Sequence, residues 1–223
     1  GGIGGGDMIP NNGKASDVKR LKLMVSSAVY GYQEFLDRIY DILTGLGYDV
    51  WMSHKGTIPV TSDNDTITNC LNAVDACDVF LGIITTQYGK TERGDKSATH
   101  LEFIRAVEKN KLRWFLVDDR VMFARQFIKN FYEDDKLTKR VNLRKCNFKS
   151  MPSFSDLRLI DMYEVAANRH DEDGRPCVDW VQPFSQDDAA ILFAMSQFSR
   201  YKDIESLLIK RLGNLEYVKT HLP

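Results

Sequence analysis

Glu102 is the residue whose type and position most favour chemistry. It lies in the stretch SATHLEFIRA, residues 97–106, where a polar residue opens an amphipathic run that predicts a helix. Ser97 is expected to cap that helix, and a helix N-terminus attracts anions through its free N–H groups and its dipole. A carboxylate beside a bound nucleoside can stabilise the positive charge that grows on the ribose as the base leaves, or attack the anomeric carbon. The stretch therefore predicts a catalytic glutamate or, in the alternative, a solvated surface charge.

The apolar residues around Glu102 predict where its side chain points. We expect Leu101, Ile104 and Val107 to face the core. These three would fill the buried face of the helix, so the carboxyl is expected at the helix edge. From there it is directed either toward the strand ends or into solvent.

Strands and helices alternate along the first part of the chain. Short apolar runs predict strands, and apolar residues spaced by three and four predict helices. The predicted strands are LKLMVSS, YDVWMS, DVFLGIITTQYG and LRWFLVDD, and the helices that follow them are YQEFLDRIYDILTGLG, Thr66 to Ala76 with Asp65 as N-cap, SATHLEFIRAVEKN and VMFARQFIKNFYED. Four such units with short joins predict an α/β domain with a doubly wound parallel sheet, in the flavodoxin-like strand order 2-1-3-4-5.

The chain divides into three parts. Residues 1–18 form a glycine-rich leader that we expect to be disordered, with Gly1 to about Asp7 foreign to the native chain and Met8 as the candidate native start. Residues 19–135 carry the α/β domain. Residues 136–223 are expected to belong to the same domain, with a basic segment at 136–149, a fifth strand running into a short helix at LRLIDMYEVAAN, and one or two closing helices that end at Gly213.

The carboxyl ends of parallel strands share one edge of the sheet, and ligands bind there, where the strand order reverses. The side chains expected to bind a ligand at this edge are Ser26, Ser27, Ser53, Tyr88, Ser97 and His100. Hydroxyls and backbone N–H groups would hold phosphate or ribose, and Tyr88 would stack on a base. The alternative is a packing role for Tyr88 and a surface position for His100.

Composition and motifs argue against several classes of protein. A net charge of -1 gives no whole-chain attraction to nucleic acid or to an acidic membrane, and no apolar run approaches the roughly 20 residues of a membrane span. We expect no secretory signal, because the glycine-rich start has no apolar core. The Walker and GxGxxG motifs are missing, which argues against a P-loop ATPase and a Rossmann dehydrogenase. The GxSxG motif is also missing, which makes an α/β hydrolase less favoured. The cysteines and histidines are scattered, so we expect a cytoplasmic protein with no metal site and no cofactor, in which Cys70 and Cys77 are reduced core residues.

Several segments together resemble a known family. They are a first strand ending in VSS, a helix carrying RIY, then GYDVWMS, CDVFLGIITTQYG and SATHLEFIRA, between about Leu21 and Phe127. They resemble an uncharacterised bacterial family of domains of unknown function with a TIR-like fold, found at the N-terminus of multi-domain signalling or defence ATPases. That family is similar to TIR domains and nucleoside deoxyribosyltransferases, in which a glutamate on the helix after the third strand serves the N-glycosidic bond.

The resemblance implies that Glu102 holds this role, that Ser97 opens the segment as a small polar residue, and that a nucleotide approaches Ser26 and Ser27. SATHLE departs from the tryptophan- and cysteine-bearing segment of many NAD-cleaving TIR domains. Two functions stay open. The first is an N-glycosidase of NAD or another nucleotide, acting in signalling or bacterial defence. The second is a non-catalytic TIR-like module that associates with itself or with adjacent domains of a larger protein.

Overall fold

The computed structural model describes residues 19–129, 147–167, 169–170, 176–177 and 180–212. The leader, the basic segment before Asn147, and Gly213 lie outside the described residues. The strands are β1 Lys22–Ser27, β2 Asp49–Trp51, β3 Val79–Ile84, β4 Thr91–Arg93, β5 Lys96–Ser97, β6 Leu112–Asp118, β7 Arg169–His170, β8 Pro176–Cys177 and β9 Val181–Phe184. The helices are α1 Gln33–Gly45, α2 Thr66–Ala76, α3 Ala98–Glu108, α4 Asp119–Lys129, α5 Arg158–Ala167, α6 Asp187–Phe198 and α7 Tyr201–Leu212.

A five-stranded sheet in the order β2-β1-β3-β6-β9 forms the centre of the described structure. Its four strand pairs are all parallel. Counted along the chain, these strands stand in the order 2-1-3-4-5, so the predicted fold class is confirmed. The order reverses between β1 and β3, and this places the switch point at the carboxyl ends of those two strands.

The prediction for the fifth strand is wrong. Residues 157–168 were expected to begin as a strand, but residues 158–167 form the helix α5, and the fifth strand is β9. Ile160, Met162, Glu164 and Ala166 are buried at every second position of this helix, so the segment resembles an alternating strand in sequence. Strand β9 has the sequence VQPF and contains Pro183, a residue that argues against a strand in sequence analysis. An edge strand tolerates proline because one side of its ladder is unpaired, and β9 pairs with β6 alone in this sheet.

Two apolar layers cover the two faces of the sheet. Alternate side chains of β1 point to opposite faces of the sheet. Leu23 and Val25 belong to the layer formed with α1, α6 and α7. Met24 belongs to the layer formed with α2, α3, α4 and α5. Ser26 shares the parity of Met24, so its side chain faces the second layer. Helix α1 covers one face of the sheet, whereas α2 and α3 cover the other. No helix among the described residues combines the length and the apolar character that crossing a membrane requires.

Gly82 of β3 provides the close packing beside Ser26, with which it is in register. A Cβ added at Gly82 would lie 2.6 Å from a ring carbon of Phe115 and 2.7 Å from one of Phe103. Phe80, Phe103 and Phe115 pack as a cluster, with ring centroids 5.1–6.3 Å apart. The glycine therefore lets α3 approach the sheet closely enough to bring its side chains to the end of β1.

We predict that Gly82→Ala lowers the free energy of unfolding by about 1–3 kcal/mol, because the methyl group overpacks two fixed aromatic rings. Urea denaturation followed by circular dichroism measures this loss. Gly45→Ala is the matched control, since Gly45 is the last residue of α1 and a Cβ there meets nothing within 4 Å. That variant is expected to keep or slightly raise stability. Equal effects of the two substitutions would contradict the packing role of Gly82.

Candidate functional site

The structure brings Ser26 of β1 and Glu102 of α3 into direct contact. The Ser26 hydroxyl donates a hydrogen bond to Oε2 of Glu102, and both side chains are buried, with Glu102 only 5% exposed. The two residues are 76 positions apart in sequence. The contact lies at the carboxyl end of β1, beside the switch point of the sheet. The expected convergence of the α3 carboxylate with a first-strand hydroxyl is therefore present in the geometry.

Glu102 lies on the buried face of α3 rather than at its edge. The buried residues of this helix are Thr99, His100, Glu102, Phe103 and Ala106. Leu101, Ile104 and Val107 are only partly buried, so the prediction that they fill the core face is wrong. The reason is the spacing of the stripe, since residues 99, 102, 103 and 106 recur every three to four positions. The Glu102 carboxyl occupies a place in this stripe that an apolar side chain would otherwise fill.

Burial changes the titration of this carboxyl. The loss of water around Glu102 raises its pKa to about 7, while hydrogen bonds from Ser26 and from the Cys70 thiol of α2 act in the opposite direction. At neutral pH the group therefore divides between protonated and ionised forms. A carboxyl with a pKa near the working pH is suited to take part in chemistry in either form.

Three residues fix the start of α3. The Ser97 hydroxyl accepts the backbone N–H of His100 at 3.2 Å, which confirms Ser97 as the N-cap. The Tyr88 hydroxyl accepts the N–H of Ser97 at 3.2 Å and lies 2.7 Å from Nδ1 of His100. His100 is buried, so the alternative of a surface position is wrong. Burial lowers its pKa to about 4, which leaves the imidazole neutral. Its Nδ1 can then accept a hydrogen bond from the Tyr88 hydroxyl.

Tyr88 links this helix start to α5. The guanidinium of Arg158 covers its ring at 4.4 Å from the centroid and is itself held by Asp156 at 2.6 Å. The backbone N–H of Tyr88 donates to the Ser155 hydroxyl at 2.9 Å. With its ring buried and covered, Tyr88 positions α3 in this structure, and stacking on a base stays a prediction that requires the ring to be uncovered.

The other predicted residues lie at the same edge without joining the pair. Ser27 is partly buried, and its hydroxyl donates to the carbonyl of Ala28 at 3.0 Å. Ser53 is exposed at the start of a short 3₁₀ turn after β2. Their binding roles stay predictions. Gly89 lies near Ala28 and Ser97 at this edge, since a Cβ placed on it would lie 3.7 Å from the Cβ atoms of both residues.

Sequence reasoning assigned no site role to several residues at this edge. Tyr32 and Thr86 bond through their hydroxyls at 2.9 Å, which ties the turn after β1 to the end of β3. Asp118, at the end of β6, is buried and accepts from Arg120 at 2.7 Å. The strand-end rule places Asp118 at the edge, but nothing in the sequence signals its partner. Cys70 was also given no site role, because its spacing in the sequence predicts only that it belongs to the buried face of α2.

The family of the chain follows from comparison with known proteins. Residues 22–159 match the model of a family described as a domain of unknown function (DUF4062), which is more than half of the chain. The chain belongs to this family. None of the curated proteins compared with it matches. The matched region runs from the start of β1 into α5, so it contains Ser26, Cys70 and Glu102 and excludes α6 and α7.

The raised pKa of Glu102 predicts a pH-dependent loss of stability. Its folded value of about 7 exceeds the ordinary 4.5, so the folded state holds this proton more tightly than the unfolded chain. The stabilisation is fully present below pH 4.5 and is lost as the pH rises through about 7. Glu102→Gln removes this dependence, and we expect the unfolding free energy of the variant, relative to wild type, to increase by up to about 3 kcal/mol across that window.

Urea denaturation of both proteins at several pH values from 4.5 to 8 measures the difference. The His100 titration is common to both and cancels. Glu108→Gln, which alters an exposed glutamate at the end of the same helix, controls for the loss of one carboxylate. A difference between Glu102→Gln and wild type that stays constant with pH would contradict the burial argument.

Proposed function

We propose that this chain is a TIR-like domain that cleaves the N-glycosidic bond of a nucleotide, with NAD as substrate, in a signalling or defence protein. One observation carries the proposal, namely the buried Glu102 carboxyl bonded to Ser26 at the switch point of the sheet. In open α/β sheets this is the place where ligands bind. The region that matches the family model contains both residues.

The chemistry of NAD suits an ionised Glu102. When the bond between the ribose C1′ and the pyridinium nitrogen breaks, its electron pair passes to the nitrogen, and nicotinamide leaves as a neutral molecule. The departing group needs no proton, so a general acid is unnecessary. Positive charge grows on the ribose, and the carboxylate stabilises it or bonds to C1′. Water then supplies hydroxide to C1′ and releases one proton, giving ADP-ribose.

The protein environment of Glu102 supports this role in two ways. The Ser26 hydroxyl donates to Oε2 of Glu102 and so orients the carboxylate that is proposed to act on the anomeric carbon. Burial removes water that would screen the charge, so an ionised carboxylate acts strongly on a cationic ribose. The side chain is only 5% exposed, so a substrate reaches it only through an opening at the strand-end edge. Ser27, Ser53 and Ser97 are the hydroxyls proposed to meet the substrate at that opening.

We predict that Glu102→Gln lowers nicotinamide release by about 10²-fold or more, because the amide carries no charge to stabilise the ribose cation. Chromatographic quantification of nicotinamide, with concentrated protein and NAD, measures the rate. In the wild type, kcat/KM is expected to rise with pH and level off above about 7, as Glu102 ionises. Glu108→Gln is expected to keep the wild-type rate. Undiminished turnover by Glu102→Gln would overturn the assignment of Glu102.

The second candidate is a non-catalytic module that associates with further copies of itself, and the outer surface of α6 favours it. Leu192 is 67% exposed and Met195 is 46% exposed, one turn apart on this helix. The other side of α6 already packs in the core through Ala190, Ile191 and Ala194. The helix is therefore apolar on both sides, which is typical of a helix that is covered by a partner.

If α6 mediates self-association, the mass of the wild type should rise with concentration in light scattering. The double substitution Leu192→Lys with Met195→Lys is expected to hold the protein at the monomer mass, because two charges cannot be buried in an apolar contact. Asn72→Lys, at an exposed position of α2 in the other layer of the sheet, is the control and should associate like wild type. A wild type that stays monomeric at all concentrations would remove this candidate.

A further inference from the structure

A cavity lies between α4 and residues 147–154. Its volume of about 630 Å³ falls in the range of roughly 300–1,000 Å³ that is typical of small-molecule sites. Neither Ser26 nor Glu102 is among the described residues that line it, so it is separate from the candidate site above. Its main side chains come from both walls, namely Arg120, Phe123 and Phe127 of α4 with Phe148, Met151 and Phe154 of the facing segment.

Both walls of the cavity are tied to the carboxyl edge of the sheet. The backbone N–H of Ser155 donates to the carbonyl of Thr86 at 3.0 Å, and the side-chain amide of Gln87 donates to the carbonyl of Pro152 at 2.9 Å. These bonds fix the facing segment to the residues that follow β3. The other wall, α4, follows β6 directly. The cavity therefore lies along the same edge of the sheet as Ser26.

Four phenylalanine rings give the cavity its apolar walls. Phe123 and Phe127 lie one turn apart on α4, with ring centroids 6.0 Å apart and planes inclined by 24°. Phe148 and Phe154 meet edge to face, with centroids 5.7 Å apart. Phe123 is 66% exposed, so a ligand that covered its ring would remove apolar surface from water. Flat rings of this kind favour a ligand with a planar aromatic body.

Arg120 adds a cationic group to these walls. Its Nε and Nη2 donate to the two carboxylate oxygens of Asp118 at 2.8 and 2.7 Å, which holds the plane of the guanidinium in one orientation. A guanidinium carries five N–H donors, more than these two bonds use. The Asp118 side chain is 3% exposed, whereas that of Arg120 is 52% exposed. A ligand therefore meets the arginine rather than the aspartate, and this favours an anionic group.

We propose that this cavity binds a small molecule in which a planar aromatic body carries an anionic group, such as a carboxylate, sulfonate or phosphate. The phenylalanine rings hold the aromatic body, and Arg120 binds the anion. None of the described lining residues is acidic. The inference goes beyond the proposed function and does not depend on whether NAD is cleaved.

The competing occupant is a second copy of the chain, which would cover the exposed ring of Phe123. Such a contact would also bury the guanidinium of Arg120, and removing that charge from water costs free energy unless the partner supplies an acid. A concave site with one oriented cation among aromatic walls fits a small anionic ligand better.

Fluorescence titration with anilinonaphthalene sulfonate, an aromatic anion, tests the inference beside phenylnaphthylamine, which has the same rings and no charge. We expect wild type to bind both probes. Arg120→Met should weaken binding of the sulfonate by about 10-fold, the scale of a lost hydrogen bond to a charged group, and leave the uncharged probe within about twofold. Phe123→Ala should weaken both probes by about 5-fold, since both use the ring.

Arg38→Met is the matched control for the charge. Arg38 is 47% exposed and pairs with Asp188 at 2.9 Å, and it does not line the cavity. This variant should bind both probes like wild type. Because Arg120→Met leaves the buried Asp118 without its arginine, the double substitution Asp118→Asn with Arg120→Met is the readout if the single variant fails to fold.

Three results would overturn the inference. The first is a sulfonate affinity that Arg120→Met and the double variant leave unchanged, or lower no more than that of the uncharged probe. The second is unaltered binding of both probes in Phe123→Ala, or their loss in Leu192→Lys with Met195→Lys, which would place them on α6. The third is a wild type that associates in light scattering while Phe123→Ala stays at the monomer mass, because the cavity would then be an interface between copies.

Discussion

The burial of one carboxyl group is the constraint around which this half of the molecule is arranged. A glutamate in the core layer of α3 is tolerated because the Ser26 hydroxyl of β1 donates to it, and because burial raises its pKa, so that it keeps its proton more easily than an exposed glutamate. The opposite layer, with α1, α6 and α7, contains apolar side chains such as Leu36, Ile39 and Phe198. The buried pair Ser26 and Glu102 lies at the end of the sheet where the strand order reverses.

The position of the carboxyl depends on how α3 begins. Tyr88 bonds both Ser97 and His100, and Arg158 covers its ring from α5. These contacts fix the helix in rotation and along its axis, and rotation decides whether residue 102 faces β1 or solvent. The two buried ionisable groups of α3 also oppose each other. Stability gained from His100 as the pH rises from about 4 to 6.5 is offset by stability lost from Glu102 between 4.5 and about 7.

Sequence patterns predicted the architecture and the location of the candidate site, but not its interior. Strand and helix alternation sufficed for the strand order, because each β–α unit carries its own periodicity. The burial of Glu102 was not predicted, because the buried face of a helix is recognised in sequence by its apolar residues. A glutamate on that face looks like an exposed position. The bond between Ser26 and Glu102 joins a strand and a helix 76 positions apart, so no local spacing reveals it. Strand β9 was missed because Pro183 obscures a short run whose pairing is tertiary.

The two proposed functions occupy opposite faces of one sheet, and this has a physical consequence. Leu192 lies on α6, in the layer with α1, whereas Glu102 lies in the layer with α2 and α3. The family match contains the second layer's site and stops before α6. Association through α6 would leave the edge at Gly89 uncovered, so assembly and chemistry do not compete for surface. One strand that contributes to both layers is β1, with Val25 in one layer and Ser26 facing the other. A small displacement of that strand would move the Ser26 hydroxyl against the carboxyl it holds.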